Sequence, residues 1–211
     1  MLESRILIRN DTMAQASARD RILDTATRLF YRDGLRATGV DRIVAESGVA
    51  KMSLYRHFPS KDDLIAAFLE RRHDHWMAWF TAAVEARLAQ GAGLPAVADA
   101  LGAWFAQGSF RGCAFINAVA ETGATDEPRH RDLAVRHKRA LERYLGEVAA
   151  RLQLDAPEQV AEEAMVCVEG MIVQAQMGVD LRIVAAGRRL LARIGHDASA
   201  HHGSAGTYQK S

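Results

Sequence analysis

Residues 51–57, Lys-Met-Ser-Leu-Tyr-Arg-His, constrain this chain more than any other stretch. They read as a helix that is too short and too polar to stand alone. Isolated helices below about 12–15 residues are marginal in water, so this one must dock on a neighbour. Leu54 and Phe58 are its apolar contacts, and Lys51, Ser53, Tyr55, Arg56 and His57 then face outward as hydrogen-bonding chemistry. The preceding residues 39–46 predict a partner helix with Val40, Ile43 and Val44 on one face. Between the two, Ser47-Gly48-Val49 makes a tight turn in which Gly48 supplies a positive φ that other residues resist. A docked short helix with a polar outer face suits insertion into a DNA groove, with cations and hydroxyls on its flanks for phosphates.

Helix-start signals repeat around this pair. Ser17 with Asp20, Thr38 with Asp41, and Ser60 with Asp63 each form an S/T-x-x-D pattern, and Gly34 follows the first helix, residues 18–33. Further on, apolar spacing predicts helices over 61–90, 94–107, 113–122, 129–152, 157–177 and 181–194, with loops at 108–112 and 123–128. The expectation is an all-α chain of about nine helices. It divides into a flexible N-terminal arm (1–17, with Met13 a plausible start), a three-helix helix-turn-helix domain (18–64), a C-terminal helical domain for ligand binding and dimerisation (65–195), and a disordered tail (196–211).

Composition agrees and excludes some classes. Only 4 of 211 residues are Pro and 49% are apolar, which favours helices around a real core. No run is long and apolar enough to span a membrane, the start does not resemble a signal peptide, and two distant Cys read as reduced thiols, so a cytoplasmic location is expected. Residues 1–61 hold eleven Lys or Arg against seven Asp or Glu, a net charge of +4, and the remainder holds sixteen against nineteen, a net charge of −3. A basic end on an acidic body fits a protein that meets phosphate with one face.

Several residues carry a family resemblance: Ile22, Leu23, Ala26, Leu29 and Phe30 on the first helix, then Gly34, Thr38, Ile43, Val44, Gly48, Val49 and Leu64. Most specific is the run Leu54-Tyr55-x-His57-Phe58-x-Ser60-Lys61. Residues 19–70 resemble the DNA-binding domain of TetR/AcrR transcription regulators. Gly39 stands where that family usually has a second Thr. Ala50 and Met52 stand where it usually has a Ser or Thr cap and a Gly. On this reading Lys51 and Ser53 meet base edges, Thr38, Tyr55, His57 and Lys61 meet phosphates, and Arg42 reaches either. The resemblance also implies an effector, and a homodimer on a palindromic operator in double-stranded DNA.

The C-terminal region offers weaker signals. Trp76, Trp79, Phe80, Trp104, Phe105, Phe110 and Phe115 gather on three successive helices, with Met165, Cys167 and Met171 further along as adaptable wall. Asn117, Glu121, Glu169 and Gln174 are candidates to orient a ligand there. Taken residue by residue, the same aromatics read more readily as plain core. Cys113, just after Gly112 at a helix start, is a candidate redox or electrophile sensor, or else a small buried residue. For dimerisation, Val160, Ala164, Val168, Ile172 and Ala175 form one helical stripe, and Leu181, Val184, Arg188 and Leu191 another. His73 and His75 diverge on their helix, His130 and His137 lie two turns apart, His196, His201 and His202 fall in the tail, and no metal-binding motif appears. No metal or other cofactor is expected. No catalytic residue stands out either, since paired carboxylates, a nucleotide loop and a nucleophile elbow are all missing. The pattern therefore predicts a ligand-responsive DNA-binding regulator, most simply a repressor released from its operator by a small apolar or aromatic effector. The alternative is a repressor sensing through Cys113.

Overall fold

The computed structural model describes residues 17–122, 128–178, 180 and 182–200. Residues before Ser17, the connection 123–127, Val179, Leu181 and residues from 201 lie outside them. Nine α-helices make up the regular structure of the described residues, as the periodicity predicts. They form two compact units, residues 1–68 and 69–211, divided within α4.

In the first unit, α1 (Ala18–Asp33), α2 (Val40–Ser47) and α3 (Lys51–His57) pack on one another beside the first turns of α4 (Lys61–Leu88). Ile22, Leu29, Ile43, Leu54 and Leu64 are fully buried and form the centre. Local chemistry sets the starts of two helices. Ser17 Oγ accepts from the Asp20 amide at 3.1 Å and donates to its carboxylate at 2.6 Å. Ser60 and Asp63 exchange the same bonds, with a third from the Ser60 amide to Asp63. Such a box satisfies amides that have no partner within the helix. The pattern fails at α2. Its cap is Gly39, with no side-chain bond, and Thr38 is instead fully buried with its hydroxyl donating to Gly34 O at 2.7 Å. Thr38 closes the α1–α2 corner and offers nothing to a phosphate from its side chain.

In the second unit, α5 (Ala96–Phe105), α6 (Ala114–Thr122), α7 (Pro128–Arg151), α8 (Pro157–Gln176) and α9 (Arg182–Ala200) pack with the remainder of α4. On α4, Trp76, Phe80 and Val84 are buried. A polar clasp ties α4 to α7: Glu85 Oε1 accepts from the Tyr144 hydroxyl at 2.9 Å and from Arg151 at 2.6 Å. The α9 helix runs on through Ala200, past the expected end at Ile194 and into the segment expected to be disordered from His196. The Asp155 amide donates to Ala198 O at 2.9 Å and Ser199 Oγ donates to Gly195 O at 2.7 Å, so the last turn is anchored on the α7–α8 connection.

Candidate nucleic-acid interface

The turn that presents α3 is built as its residues predict. Gly48 caps α2 in the left-handed region, at φ 63° and ψ 28°. Leu54 and Phe58 then bury the inner side of α3. Ala50 caps α3 without a side-chain hydrogen bond, the cost that its lack of an oxygen predicts. Opposite the buried side, Met52, Tyr55 and Arg56 share one ridge at helical spacing, and all three are exposed, Met52 at 81%. Lys51 and Ser53 flank this ridge.

Charge on the ridge is arranged from α2. Lys51 Nζ donates to Asp41 Oδ1 at 2.7 Å, and this carboxylate raises the Lys51 pKa above its ordinary value. Both groups are well exposed, so solvent screens the pair and an incoming anion competes for the ammonium readily. Arg42 is less available than its sequence position suggests, because it bridges Glu46 at 2.9 Å and Asp33 at 2.9 Å. His57 is exposed at the end of α3, and Lys61 is half-buried on the first turn of α4. Lys51, Ser53, Tyr55 and His57 thus lie on α3 away from its buried anchors, Lys61 lies on the first turn of α4, Arg42 is held in a carboxylate network, and Thr38 is interior. The exposed face of α3 adds Met52 and Arg56. Met52 departs from the family pattern, and helical spacing alone places it on the outer ridge.

A match to known proteins follows this geometry. The profile described as "Bacterial regulatory proteins, tetR family" fits residues 22–68. The crystal structure of SCO4454, a TetR-family transcriptional regulator from Streptomyces coelicolor, superposes with a TM-score of 0.73 at 32% identity, over 86% of this chain and 96% of that one. The chain belongs to the TetR family of transcriptional regulators. Curated relatives agree more strongly over short stretches than along the whole chain. The HTH-type transcriptional regulator LmrA of Bacillus subtilis is 44% identical over 54 residues, which is 26% of this chain but only 29% of LmrA. The HTH-type transcriptional repressor ComR of Escherichia coli is 27% identical over 171 residues, 77% of this chain and 81% of ComR.

Away from the reading head, the aromatic residues mostly fill the interior of this TetR-family chain. Trp76 stacks on Phe80 at 4.7 Å, and Trp104 meets Trp76 edge-on at 5.3 Å and Phe110 at 4.9 Å. Phe105 joins Trp104 and Phe110, and Phe115 stacks on His137 at 3.9 Å. The cleft among Trp76, Trp104, Cys113, Phe115 and His137 has about 10 Å³ of free volume. That is roughly one water's worth, far below the ~300–1,000 Å³ of ordinary ligand pockets. The residues expected to line one pocket are therefore not gathered around one open cavity among the described residues. Met171 is buried against Gly187 of α9, where any side chain would collide with it. Asn117 is bonded to Arg111 O and Gln176, Glu169 to Lys138 at 2.5 Å, and Trp79 and Met165 are half-buried outside the cleft. Cys113 is 4% exposed, which denies an oxidant the access that a sensor thiol needs.

One contact in this interior has no counterpart in the sequence reading. His73 on α4 and His137 on α7 meet Nδ1 to Nδ1 at 3.0 Å. Burial, reinforced by Lys138, His73 and Arg72, pushes the His137 pKa down to about 3. Burial likewise lowers that of His73. A base with a depressed folded-state pKa favours the unfolded chain on acidification. The stability it permits is complete above the unfolded value of about 6.5 and drains away as pH falls toward the folded value. Lowering the pH from ~7 to ~5 should therefore depress the thermal midpoint more steeply in the wild type than in His137→Phe, as read by circular dichroism. Parallel pH profiles for the two proteins would remove His137 from the acid response.

Much of the expected dimer surface on α8, and Leu191 of α9, faces inward. Val160, Ala164, Val168, Ile172 and Leu191 are at most 3% exposed within the single chain. Ala175 is half-buried, Val184 packs over Gly102 of α5, and Arg188 pairs with Asp99 of α5 at 2.8 Å. What α8 leaves open is a second stripe, Val166, Gly170, Val173 and Met177, and α9 adds Leu190. Both stripes of α8 are apolar, and the first is claimed by this chain's own core.

Proposed function

We propose that this chain is a homodimeric operator-binding repressor whose α3 ridge reads DNA and whose second unit responds to a small, mainly apolar effector. The ridge carries the reading. Met52, Tyr55 and Arg56 stand outward on a helix held by two buried anchors, with Lys51 and Ser53 beside them. ComR, which aligns along most of the chain, is a repressor by name, and that supports repression over activation. The partner copy docks on the open stripes of α8 and α9, closing a four-helix bundle and spacing two reading heads for a palindrome. Effector release works by population shift: the ligand favours a form of the dimer whose heads miss the operator spacing, and operator binding opposes the ligand by the same factor. The α4 helix supplies residues to both units and is the element through which the two equilibria couple. With Cys113 buried, reversible ligand binding accounts for release better than thiol oxidation does.

Operator titrations separate the contacts. Tyr55→Phe and Lys61→Ala should weaken binding to all sequences alike, and Lys61→Ala should flatten the salt slope by about one. Lys51→Ala should change base preference by roughly 1–3 kcal/mol at one position per half-site. Met52 makes a different prediction, because a thioether has no hydrogen bond to offer but packs on a thymine methyl. Replacing thymine by uracil in the half-site should weaken the wild type and leave Met52→Ala indifferent. Normal footprints from all four variants would sink the interface.

A further inference from the structure

A surface groove runs between α6 and α7, with a free volume of about 500 Å³. Its apolar lining comes from Ile116, Val119 and Ala120 on α6 and Ala134 and Val135 on α7. Val135 is 42% exposed, a large aliphatic side chain in a position that helical surfaces normally give to polar residues. The volume lies within the ordinary range for small-molecule sites, unlike the interior cleft.

The rim is charged and uneven. Arg131, Lys138, Arg139 and Glu142 border the groove. Lys138 is already neutralised by Glu169 at 2.5 Å. Arg131 and Arg139 are exposed and form no ion pair among the described residues. Two guanidiniums against the single Glu142 carboxylate leave one positive charge in excess. An apolar trough with a surplus guanidinium fits a ligand with an apolar body and one anionic head, since arginine binds carboxylates through two parallel hydrogen bonds. Position adds to the case. Phe115 and Lys138 line both this groove and the interior cleft, and Phe115 stacks on His137, which meets α4 through His73. A ligand in the groove presses on the same ring that packs the aromatic interior.

We infer that the α6–α7 groove is a binding site for amphipathic organic monoanions, with the carboxylate on a rim arginine, Arg131 or Arg139, and the apolar body along Ile116, Val119 and Val135. That this ligand is the effector rests on the repressor reading above. The groove itself does not.

Decanoate below its micellar range is a suitable probe, with decanol as its uncharged match, titrated into the full chain by calorimetry. One saturable site per chain is expected, with decanol at least about tenfold weaker. The double variant Arg131→Gln/Arg139→Gln should lose about tenfold or more for decanoate and nothing for decanol. Both arginines are exposed and Gln is a good helix former, so the fold should survive. Glu142→Gln tests the charge balance without removing a cation and should bind decanoate more tightly. Ala120→Trp should fill the groove and abolish binding. Absence of a saturable site, equal affinity for decanol, or indifference to these substitutions overturns the inference. So does loss of the dimer in Ala120→Trp, which would assign the groove to a second copy of the chain. Operator mobility shifts with decanoate then decide the effector reading separately, because calorimetry without DNA has already decided the groove.

Discussion

Val166→Glu combined with Val173→Glu should convert the protein from a dimer to a folded monomer and lower operator affinity by about a hundredfold or more, since two heads no longer bind as one ligand. Both residues are open on the surface of a single chain, at 76% and 41% exposure, so the charges are solvated in the monomer and unpaired only at the interface. Light scattering should give the single-chain mass while far-ultraviolet circular dichroism stays helical. Val168→Glu is the contrasting change. Its side chain is fully buried in the chain's own core, and an unpaired charge there should cost several kcal/mol and unfold the unit. The two faces of α8 thus make opposite predictions, folded monomer from one and unfolded chain from the other. A dimeric Val166→Glu/Val173→Glu protein with ordinary operator binding would move the interface elsewhere.

Phe80→Ala should be the most damaging truncation in the aromatic cluster, at about 3–5 kcal/mol. The ring is fully buried, stacked on Trp76 and met edge-on by Tyr144 at 6.2 Å. For a chain of this size the loss corresponds to a fall of roughly 10 °C in thermal midpoint. Were Phe80 instead the wall of a cavity waiting for a ligand, its removal would cost little stability and mainly weaken the response to effector. Urea titration of the variant distinguishes the two. A loss below about 1 kcal/mol would mean that the interior is looser than its ring contacts indicate.

Local chemistry made much of the fold legible. The Ser17–Asp20 and Ser60–Asp63 boxes involve residues three apart, and each start was readable because donor and acceptor lie within one turn. Thr38 carries the same letters and does something else, since its hydroxyl turns back to Gly34 and Leu29 at the end of α1. Only the tertiary corner decides between the two uses. The helix phase of α8 was illegible for a related reason: two apolar stripes compete for one interior, and nothing within the helix says which one its own chain will cover. The His73–His137 contact spans 64 positions and joins two helices, so no spacing rule reaches it. Most of the aromatic side chains from Trp76 to Phe115 join one another through ring contacts. Whether rings enclose a space or fill it depends on ångström-scale packing, which composition does not encode.

All three tryptophans of the chain, Trp76, Trp79 and Trp104, lie in the second unit, and the reading head has none. Indole emission is therefore a one-sided witness. It follows the interior around Trp76 and is blind to α1, α2 and α3. Trp76 and His137 sit edge to face at 5.3 Å, and an imidazolium quenches a neighbouring indole. Brightness then tracks whether that histidine stays neutral and in place. A single tryptophan placed on α1 would give the silent half its own signal, so that unfolding of the two units could be followed separately.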